Sequence, residues 1–415
     1  MPNDHVETVR IRRLAQGGDG VSNLADGRIV FVEGGLPGDL VEIELEQSKK
    51  KWARARVLRR LEDSPDRIEP DCRHAPICGG CSFRDYSYEA ELRAKVDAAR
   101  DTLQRLGRLE LDDVELVEHP ATSPVGHRVR ASLHIRSGRL GFFRRGTHEL
   151  FALSSCPALD PRLERALEPL RSFAVALREG EVFVETASGD EVVVTVEEGS
   201  APSPVVAALA AADPIRGVRR GRASYGTDTV SAREALGLDS DIEVPSRRFR
   251  QANALMGTAL RDIVQRRVGR VASLDEFFAG SGNFTFALRE QCGDIRAYEL
   301  DPEAVKLGNE ISASLSCPTI EFRAIDLDQK DVPPRDGASV LLDPPRTGAQ
   351  RLSKAIAASR AARVVYVSCD VATFARDAAE LVRGGFALSS VDFVDMFPRT
   401  PHLELVAAFV RTSAR

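Results

Sequence analysis

Short runs of alternating hydrophobic and polar residues dominate the first 60 positions. The segments VETVRIRRLA, GRIVFVEG and DLVEIELEQ are rich in β-branched residues, and glycine-rich turns at 17–20 and 35–39 separate them. A further run, ARARVLRRLE, would close a small barrel. The pattern predicts a five-stranded OB-like β-barrel over residues 1–60, a shape often used to bind nucleic acid.

A different pattern follows a connector that is rich in proline and cysteine. Residues 87–107 repeat hydrophobic positions at helical spacing and end at a glycine. From about 113 to 245 the alternating pattern returns, and helical stretches near 161–178 and 202–212 interrupt it. These features predict a central α+β domain over residues 61–250.

From about residue 252 strands and helices alternate. The segments ASLDEFF, IRAYEL, TIEFRAI, ASVLLD and VVYVS are hydrophobic strands; a loop follows TIEFRAI, and a helix is predicted after each of the others. A strand pair, SSVDFVDMF and HLELVAAFV, comes last. This order predicts an α/β doubly wound, Rossmann-like domain over residues 251–415. A chain of 415 residues is long enough for three such domains.

Charge and hydropathy restrict the class of protein. No hydrophobic run is long enough to span a bilayer, and the first ten residues lack the apolar core of a signal peptide, so we expect a cytoplasmic protein with no membrane partner. The net charge is −5, which by itself argues against nucleic acid as a partner. Residues 49–60, however, contain seven Lys or Arg and no acid. This run is either a solvated surface or a phosphate-binding one.

A glycine turn between the first strand of the last domain and its helix is the candidate cofactor site. Gly280 and Gly282 allow a tight turn and a close approach of the backbone to a ligand. Glu299 closes the next strand, where an acid can bind ribose hydroxyls, and Asp326 follows the third strand, where it can face an adenine. Thr285 stands where the third glycine of a dinucleotide-binding motif would fall. S-adenosylmethionine, which has no pyrophosphate, therefore fits this turn better.

Asp343 and Cys369 each end a strand at the edge where open α/β sheets bind ligands. In amino-methylating enzymes a similar loop has an aromatic residue where Arg346 stands, which disfavours methylation of adenine N6. A cysteine at a strand end is often a buried structural thiol. Its place one strand beyond Asp343 instead favours Cys369 as a nucleophile.

A thiol suits methylation at carbon 5 of a pyrimidine. Addition of a thiolate at carbon 6 makes carbon 5 nucleophilic, and a base must later remove the carbon 5 proton. Glu404 is the candidate base, although alone it would be interpreted as an exposed edge carboxylate. Nearby His402 is either a structural imidazole or a residue that helps to place the loop.

Four cysteines have spacings typical of metal ligands: Cys72, Cys78 and Cys81 within ten residues, and Cys156. Four thiolates suit zinc or an iron–sulfur cluster. The local spacing matches neither a paired CxxC zinc ribbon nor a bacterial ferredoxin, and the five-residue gap argues against a radical-SAM enzyme.

Taken together and in order, these motifs resemble the RNA uracil-5-methyltransferases, in the branch with an N-terminal TRAM domain and a [4Fe-4S] cluster. The resemblance covers nearly the whole chain. It rests on residues 1–60, CRHAPICGGC, GHRVRASLHI, GRLGFFRRGTHEL, FRQAN, EFFAGSGNFT, DPPRTG, VVYVSCD and FPRTPHLELV.

The resemblance implies a role for individual residues. It implies Cys369 as the nucleophile and Glu404 as the base, and it implies that the four cysteines hold a [4Fe-4S] cluster that supports RNA binding and does no redox step. The implied S-adenosylmethionine-binding residues are Gln251, Phe278, Gly280, Gly282, Asn283, Glu299, Asp326 and Asp343, the last of which also orients the uracil. As hypotheses, phosphate contacts come from Arg128, Arg130, Lys49, Lys50 and Lys51.

We expect a monomer that methylates a flipped or single-stranded uridine. The architecture points to 23S rRNA, with the T-loop uridine of tRNA as the alternative. A 5-methylcytosine enzyme would need a second cysteine in the fourth-strand loop, and DPPRTG has none. A non-catalytic RNA-binding module is disfavoured because the nucleophile, the base and the cofactor residues are all present.

The chain departs from the family pattern at two sites. Glu276 stands where the family often has Asp, and Asp370 and Val371 stand where it often has Asn-Pro. A carboxylate beside the thiol predicts a raised pKa of Cys369, unless a cation such as Arg376 offsets it.

Overall fold

The computed structural model describes residues 6–412, apart from 188, 199–200, 232–235, 237, 239–241, 249, 328 and 331. The N-terminal sheet has six strands in the order β1-β5-β6-β4-β3-β2. They are β1 Val6–Arg10, β2 Arg13–Leu14, β3 Gly20–Asn23, β4 Ile29–Glu33, β5 Leu40–Ser48 and β6 Trp52–Glu62. Alternate residues of β4 and β5 are fully buried, namely Val30, Val32, Val41 and Ile43. This period of two matches the predicted β-rich module, with one short strand more than expected.

Helix α1 (Tyr88–Arg105) and strand β7 (Glu115–His119) come next. The helix confirms the one predicted for residues 87–107. Its buried residues Val96, Ala99 and Leu103 belong to the hydrophobic core of the C-terminal sheet. Strand β7 is the outermost strand of that same sheet.

The central sheet has seven strands in the order β10-β9-β8-β11-β12-β13-β14, beside a separate pair, β15-β16. The strands are β8 Arg130–Arg136, β9 Arg139–Phe143, β10 Leu150–Ala152, β11 Gly180–Thr186, β12 Val192–Val196, β13 Ile215–Arg220, β14 Ala223–Gly226, β15 Thr229–Ser231 and β16 Glu243–Pro245. Helices α2 (Pro161–Phe173) and α3 (Ser203–Ala210) occupy the two helical stretches predicted there. Their apolar residues form one core with the sheet.

The C-terminal sheet has eight strands in the order β19-β18-β17-β20-β21-β23-β22-β7. Its strands are β17 Val271–Phe277, β18 Cys292–Glu299, β19 Ile320–Ala324, β20 Ser339–Leu342, β21 Arg363–Ser368, β22 Phe386–Val394 and β23 Glu404–Arg411. Its helices are α4 Ala254–Val268, α5 Pro302–Ser314, α6 Gln350–Ala358 and α7 Val371–Arg383. Strands β17 to β21 pair in parallel, and β23 is antiparallel to both β21 and β22. This is the doubly wound, mostly parallel sheet that the sequence predicts.

Two details differ from the predictions. Residues 88–119, assigned to the central domain, pack on the C-terminal sheet, because β7 adds in parallel to β22 and α1 covers its core. The helix predicted after the glycine turn is instead a run of turns over 280–291. Isolated bonds such as Phe286 N–H to Gly282 O (3.2 Å) and Leu288 N–H to Phe284 O (3.0 Å) hold these turns together.

No helix among the described residues is both long and apolar enough to cross a membrane.

Candidate active site

Three reactive side chains lie at one end of the central strands. Asp343 directly follows β20, Cys369 directly follows β21, and Glu404 begins β23. Because β20 and β21 are parallel, they end at the same edge. Strand β23 runs the other way, with Leu405 opposite Ser368, so its first residue lies at this edge beside Cys369. The fold therefore brings the predicted nucleophile, base and uracil-orienting acid together.

Burial raises the pKa values of all three groups. It raises the pKa of Glu404 to about 8 and that of Asp343 to about 7, and the charge of Asp343 adds to the shift of Glu404. Burial, then the charges of Glu404 and Asp343, raise the pKa of the Cys369 thiol to about 11. Arg346 lowers the pKa values of both Cys369 and Glu404. Without substrate, the thiol is therefore protonated at neutral pH.

The pKa of Cys369 is raised, but its main causes are other than the charge of Asp370. The Asp370 carboxylate caps helix α7, where it accepts a hydrogen bond from the Thr373 N–H at 2.8 Å. Arg376 is likewise engaged elsewhere, because its Nε donates to Asp377 at 2.8 Å. Burial raises the pKa of Cys369 most, followed by the charges of Glu404 and Asp343, which are distant in sequence, and neither Asp370 nor Arg376 is among its main causes.

His402 lies half-buried beside these groups. Its ring meets the Phe397 ring edge-on, with centroids 6.2 Å apart. Burial lowers the pKa of His402, and the positive charges of Arg346, Lys95 and Arg128 lower it further. A neutral imidazole packed on Phe397 favours the role of helping to place the loop.

The glycine turn adopts the left-handed backbone that the sequence requires. Gly280 and Gly282 have φ angles of 57° and 108°, and Phe278 just before them has 65°. A Cβ atom at Gly282 would overlap the ring of Phe286, so this glycine is needed for packing. A Cβ atom at Gly280 would meet only open space, which leaves room for a ligand beside the backbone.

Glu299 holds the turn from the next strand. Its Oε2 accepts a hydrogen bond from the Gly280 N–H at 2.9 Å, and its Oε1 accepts from the N–H groups of Leu300 and Asp301 at 2.8 and 2.9 Å. A carboxylate oxygen has further lone pairs, so hydroxyl groups of a ligand can still bind. Asp326 lies partly buried beyond the third strand, where its Oδ1 accepts from the Gln329 N–H at 3.2 Å.

Sequence reasoning missed the contact between Glu276 and Thr285. The Thr285 hydroxyl donates to Glu276 Oε2 at 2.6 Å, and Oε1 has no partner within the described part of the chain. Burial raises the pKa of Glu276 to about 8, and the charge of Asp343 adds to the rise. The only signal in the sequence was the threonine in place of the third glycine.

Two further predicted cofactor residues lie in the turn and before helix α4. Asn283 receives a hydrogen bond from Arg261 on its Oδ1 at 3.4 Å, whereas its buried Nδ2 donates to no described residue. Gln251 packs against helix α4 at Gly257, where a Cβ atom would lie 3.0 Å from the Gln251 Cβ. An unpaired buried amide and the open space at Gly280 fit a polar ligand such as S-adenosylmethionine.

The four predicted metal-ligand cysteines are neighbours in the fold. Burial raises the pKa of Cys78, and charge on Cys81 and Cys72 raises it further. Burial likewise raises the pKa of Cys156 to about 11, with a contribution from Cys81. None of these four cysteines forms a disulfide bond. Among the described residues, however, no three metal-ligating side chains are close enough to hold a metal ion, so the thiols do not form a closed ligand set.

The predicted RNA-binding residues differ in exposure and in the contacts that they make within the protein. Lys49, Lys50 and Lys51 form the exposed turn between β5 and β6. Arg130 is half-buried, donates to the carbonyl oxygens of residues 248 and 250 at 3.0 Å, and lies over the Phe183 ring at 4.8 Å. These contacts indicate a structural role for Arg130. Arg128 is also half-buried, and its Nε is unpaired among the described atoms.

Comparisons with known proteins agree with this geometry. Residues 5–58 match the family model of the TRAM domain, and residues 318–411 match that of tRNA (Uracil-5-)-methyltransferase. A 23S rRNA (uracil(1939)-C(5))-methyltransferase of Chromohalobacter salexigens is 34% identical over 98% of this chain and 89% of the relative. The corresponding protein of Salmonella typhimurium is 32% identical over 97% of this chain and 96% of its own length. An uncharacterized RNA methyltransferase of Caulobacter vibrioides is 32% identical over 98% of this chain and all of its own.

A solved structure shares the fold. The tRNA (uracil-54, C5)-methyltransferase of Pyrococcus abyssi, in complex with S-adenosyl-L-homocysteine, has a TM-score of 0.75 at 24% identity. The match covers 97% of this chain and all of that one. With relatives above 30% identity along nearly their whole length, a TRAM domain and a matching catalytic part, the chain belongs to the RNA (uracil-C5)-methyltransferase family.

Proposed function

We propose that this protein methylates carbon 5 of a uridine in 23S rRNA, with S-adenosylmethionine as the methyl donor. The observation that carries the proposal is the meeting of Cys369, Asp343 and Glu404 at one sheet edge, next to the open glycine turn. The names of the curated relatives support the choice of 23S rRNA.

The reaction begins at the thiol. Cys369 loses its proton to solvent and its sulfur forms a bond to carbon 6 of the uracil, which places negative charge on the oxygen at carbon 4. Carbon 5 would then take the methyl group of bound S-adenosylmethionine, as the bond between that methyl group and the sulfonium sulfur breaks and S-adenosylhomocysteine is left. Glu404 removes the remaining carbon 5 proton, the double bond between carbons 5 and 6 re-forms, and the Cys369 sulfur leaves as a thiolate.

The raised pKa values suit these steps. Because the pKa of Glu404 is about 8, its carboxylate is a stronger base than an ordinary glutamate, while part of it is ionised at neutral pH. Asp343, with a pKa of about 7, is partly protonated at neutral pH and can donate a hydrogen bond to the uracil edge where charge develops. The positive charge of Arg346 lowers the pKa of the thiol and so favours its ionised form.

S-adenosylmethionine, when bound, supplies an electrophilic methyl group. We assign the ribose to Glu299 and the adenine to Asp326, because ligands of open α/β sheets bind beyond the carboxyl ends of the strands. The amide of Asn283 and the space at Gly280 lie where they would receive the rest of the cofactor. Phe278, which comes directly before the turn, and Gln251 complete the proposed set of cofactor residues.

We also propose that Cys72, Cys78, Cys81 and Cys156 hold a [4Fe-4S] cluster that supports the RNA-binding part of the protein. The chemistry of four neighbouring thiols supports it, although their arrangement is not a closed ligand set. Anaerobic purification with measurement of iron and acid-labile sulfide tests it. Loss of both in Cys81→Ser, but not in the control Cys317→Ser, would support the cluster. A wild-type protein without iron would refute it.

The methylation itself is tested with labelled S-adenosylmethionine and two unmodified RNAs, 23S rRNA and bulk tRNA. Nucleoside mass spectrometry identifies the product. We expect 5-methyluridine in 23S rRNA only, complete loss in Cys369→Ala, and no loss in Cys317→Ala. The same product in tRNA alone would replace the proposed substrate, and no 5-methyluridine in either RNA would refute the function.

A further inference from the structure

A group of buried charges connects helix α1 to the loop that precedes Glu404. Lys95 Nζ donates to Glu91 Oε1 at 2.9 Å and to Asp395 Oδ1 at 2.8 Å. The backbone N–H of Arg399 donates to Glu91 Oε1 at 2.7 Å, and its guanidinium lies 3.4 Å from Glu91 Oε2. The two carboxylates are fully buried, and the two cations are nearly so. Two negative and two positive charges therefore balance inside the protein.

Arg399 is also bound by the segment that follows Cys81. Its carbonyl oxygen accepts hydrogen bonds from the N–H groups of Ser82 and Phe83 at 2.8 and 3.2 Å. Its Nη1 donates to the Tyr86 carbonyl at 2.6 Å. The φ angle of Arg399 is 68°, which residues other than glycine rarely adopt. Contacts on both backbone and side chain fix this residue in one conformation.

The loop of residues 395–403 matters because backbone pairing holds Glu404 on one side only. Glu404 pairs with Val394 in β22. It lies one residue past the last pair of β21 and β23, which is Ser368 with Leu405. Leu405, which pairs with Ser368 and Phe393, holds the backbone of Glu404 on its C-terminal side, and this loop holds it on its N-terminal side.

A buried ion network is weak evidence for stability, because well-packed apolar residues in its place are often neutral or stabilising. It does select one geometry, because any displacement leaves a charge without its partner. In this protein the network fixes the geometry of the 395–403 loop, which directly precedes the candidate base, Glu404.

We propose that Arg399 is a positioning residue for Glu404. It anchors the 395–403 loop to α1 and to the segment after Cys81, and the anchored loop holds the Glu404 carboxylate where it reaches the carbon 5 proton. The segment after Cys81 thereby contributes to positioning the base. This inference rests on the proposed role of Glu404 as the base.

The test separates proton removal from the earlier bond formation. Arg399→Lys keeps the positive charge but loses the guanidinium contacts with backbone carbonyls. Arg411→Lys is the matched control, because Arg411 lies at the other end of β23 and also donates to backbone carbonyls, those of Ala361 and Gly384. Each holoprotein is mixed with S-adenosylmethionine and unmodified 23S rRNA tritiated at uridine carbon 5, and the covalent protein–RNA complex and tritium release are followed over a single turnover.

We expect Arg399→Lys to form the covalent complex within about twofold of the wild-type rate and to release tritium on the order of tenfold more slowly, since a positioned base contributes about 10²–10⁴-fold. The complex should therefore accumulate, as it should in Glu404→Gln. The double variant Arg399→Lys/Glu404→Gln should be no slower than Glu404→Gln alone. Arg411→Lys should behave like the wild type.

Equal slowing of both steps in Arg399→Lys would overturn the inference, because it would show only a general loss of structure. Unchanged tritium release would also overturn it. A wild-type protein that forms no complex and releases no tritium would instead refute the proposed function, and with it this inference.

Discussion

The Thr285 hydroxyl donates a 2.6 Å hydrogen bond to the buried carboxyl group of Glu276, beneath the glycine turn. Burial raises the pKa of Glu276 from 4.5 to about 8. A group whose folded-state pKa is raised stabilises the fold fully below its unfolded pKa, and this stabilisation is lost as pH rises through the folded value. The unfolding free energy contributed by Glu276 should therefore fall between about pH 4.5 and pH 8.

We expect Glu276→Gln to remove this pH dependence. The unfolding free energy is measured by chemical denaturation at about pH 5 and about pH 9. Its fall between these two pH values should be smaller in Glu276→Gln than in the wild type, by on the order of a few kcal/mol. Glu380→Gln is the control, because Arg383 lowers the pKa of Glu380, so its contribution has the opposite sign. Parallel pH profiles for Glu276→Gln and the wild type would contradict this assignment.

The reactivity of Cys369 should depend on carboxylates from other strands. Removing the negative charge in Glu404→Gln or Asp343→Asn should lower the pKa of the Cys369 thiol below its value of about 11. The pH dependence of alkylation by iodoacetamide measures this pKa.

The matched control for this experiment is Asp370→Asn, which keeps a side chain able to cap helix α7 but removes the charge next to the thiol. We expect a smaller downward shift from it, because Asp370 is not among the main causes of the raised pKa. A shift as large as that of Glu404→Gln would mean that the adjacent charge, and not the strand arrangement, sets the thiol pKa.

Alanine substitutions of the two glycines in the cofactor turn should affect different properties of the protein. Gly282→Ala adds a Cβ atom against Phe286 at a φ of 108°, so it should lower the thermal stability of the protein. Gly280→Ala has open space and should cost only the roughly 1–2 kcal/mol of a left-handed residue. Its larger effect should be weaker binding of S-adenosylmethionine, measured by calorimetry. A larger loss of thermal stability in Gly280→Ala than in Gly282→Ala would contradict the close packing of Gly282 against Phe286.

The lysine turn should carry more of the RNA affinity than the arginines of the neighbouring strand. Lys49, Lys50 and Lys51 are exposed and have no ion-pair partner among the described residues, whereas Arg56 pairs with Glu44. Replacing the three lysines by alanine should weaken binding to 23S rRNA fragments.

The same replacement should also reduce the salt dependence of that binding, by about 0.7–0.9 in log–log slope for each phosphate that the protein no longer neutralises. Arg56→Ala is the control and should change both quantities less. An equal reduction of affinity and slope in both proteins would show that the turn has no special role.

Much of the fold followed from the order of elements in the sequence. Alternation of period two predicted the β-rich N-terminal module, because it leaves one face of each strand to be buried. The alternation of continuously apolar strands with helices after residue 252 predicted the doubly wound sheet, because helices then cover both faces of the sheet. The segment after Gly282 is an exception. Its sequence predicts a helix, but the chain there forms turns, since packing of Phe284 and Phe286 into the core decides the local conformation.

The sequence by itself determined which residue types could do the chemistry and that Cys369 and Asp343 end neighbouring strands, because the ends of parallel strands share one edge. Only the tertiary structure decided their electrostatic environment. Glu404 reaches Cys369 because β23 runs antiparallel beside β21, and Asp370, next to Cys369 in the chain, is turned away to cap a helix. Charges act through distance in space, and the sequence records only distance along the chain.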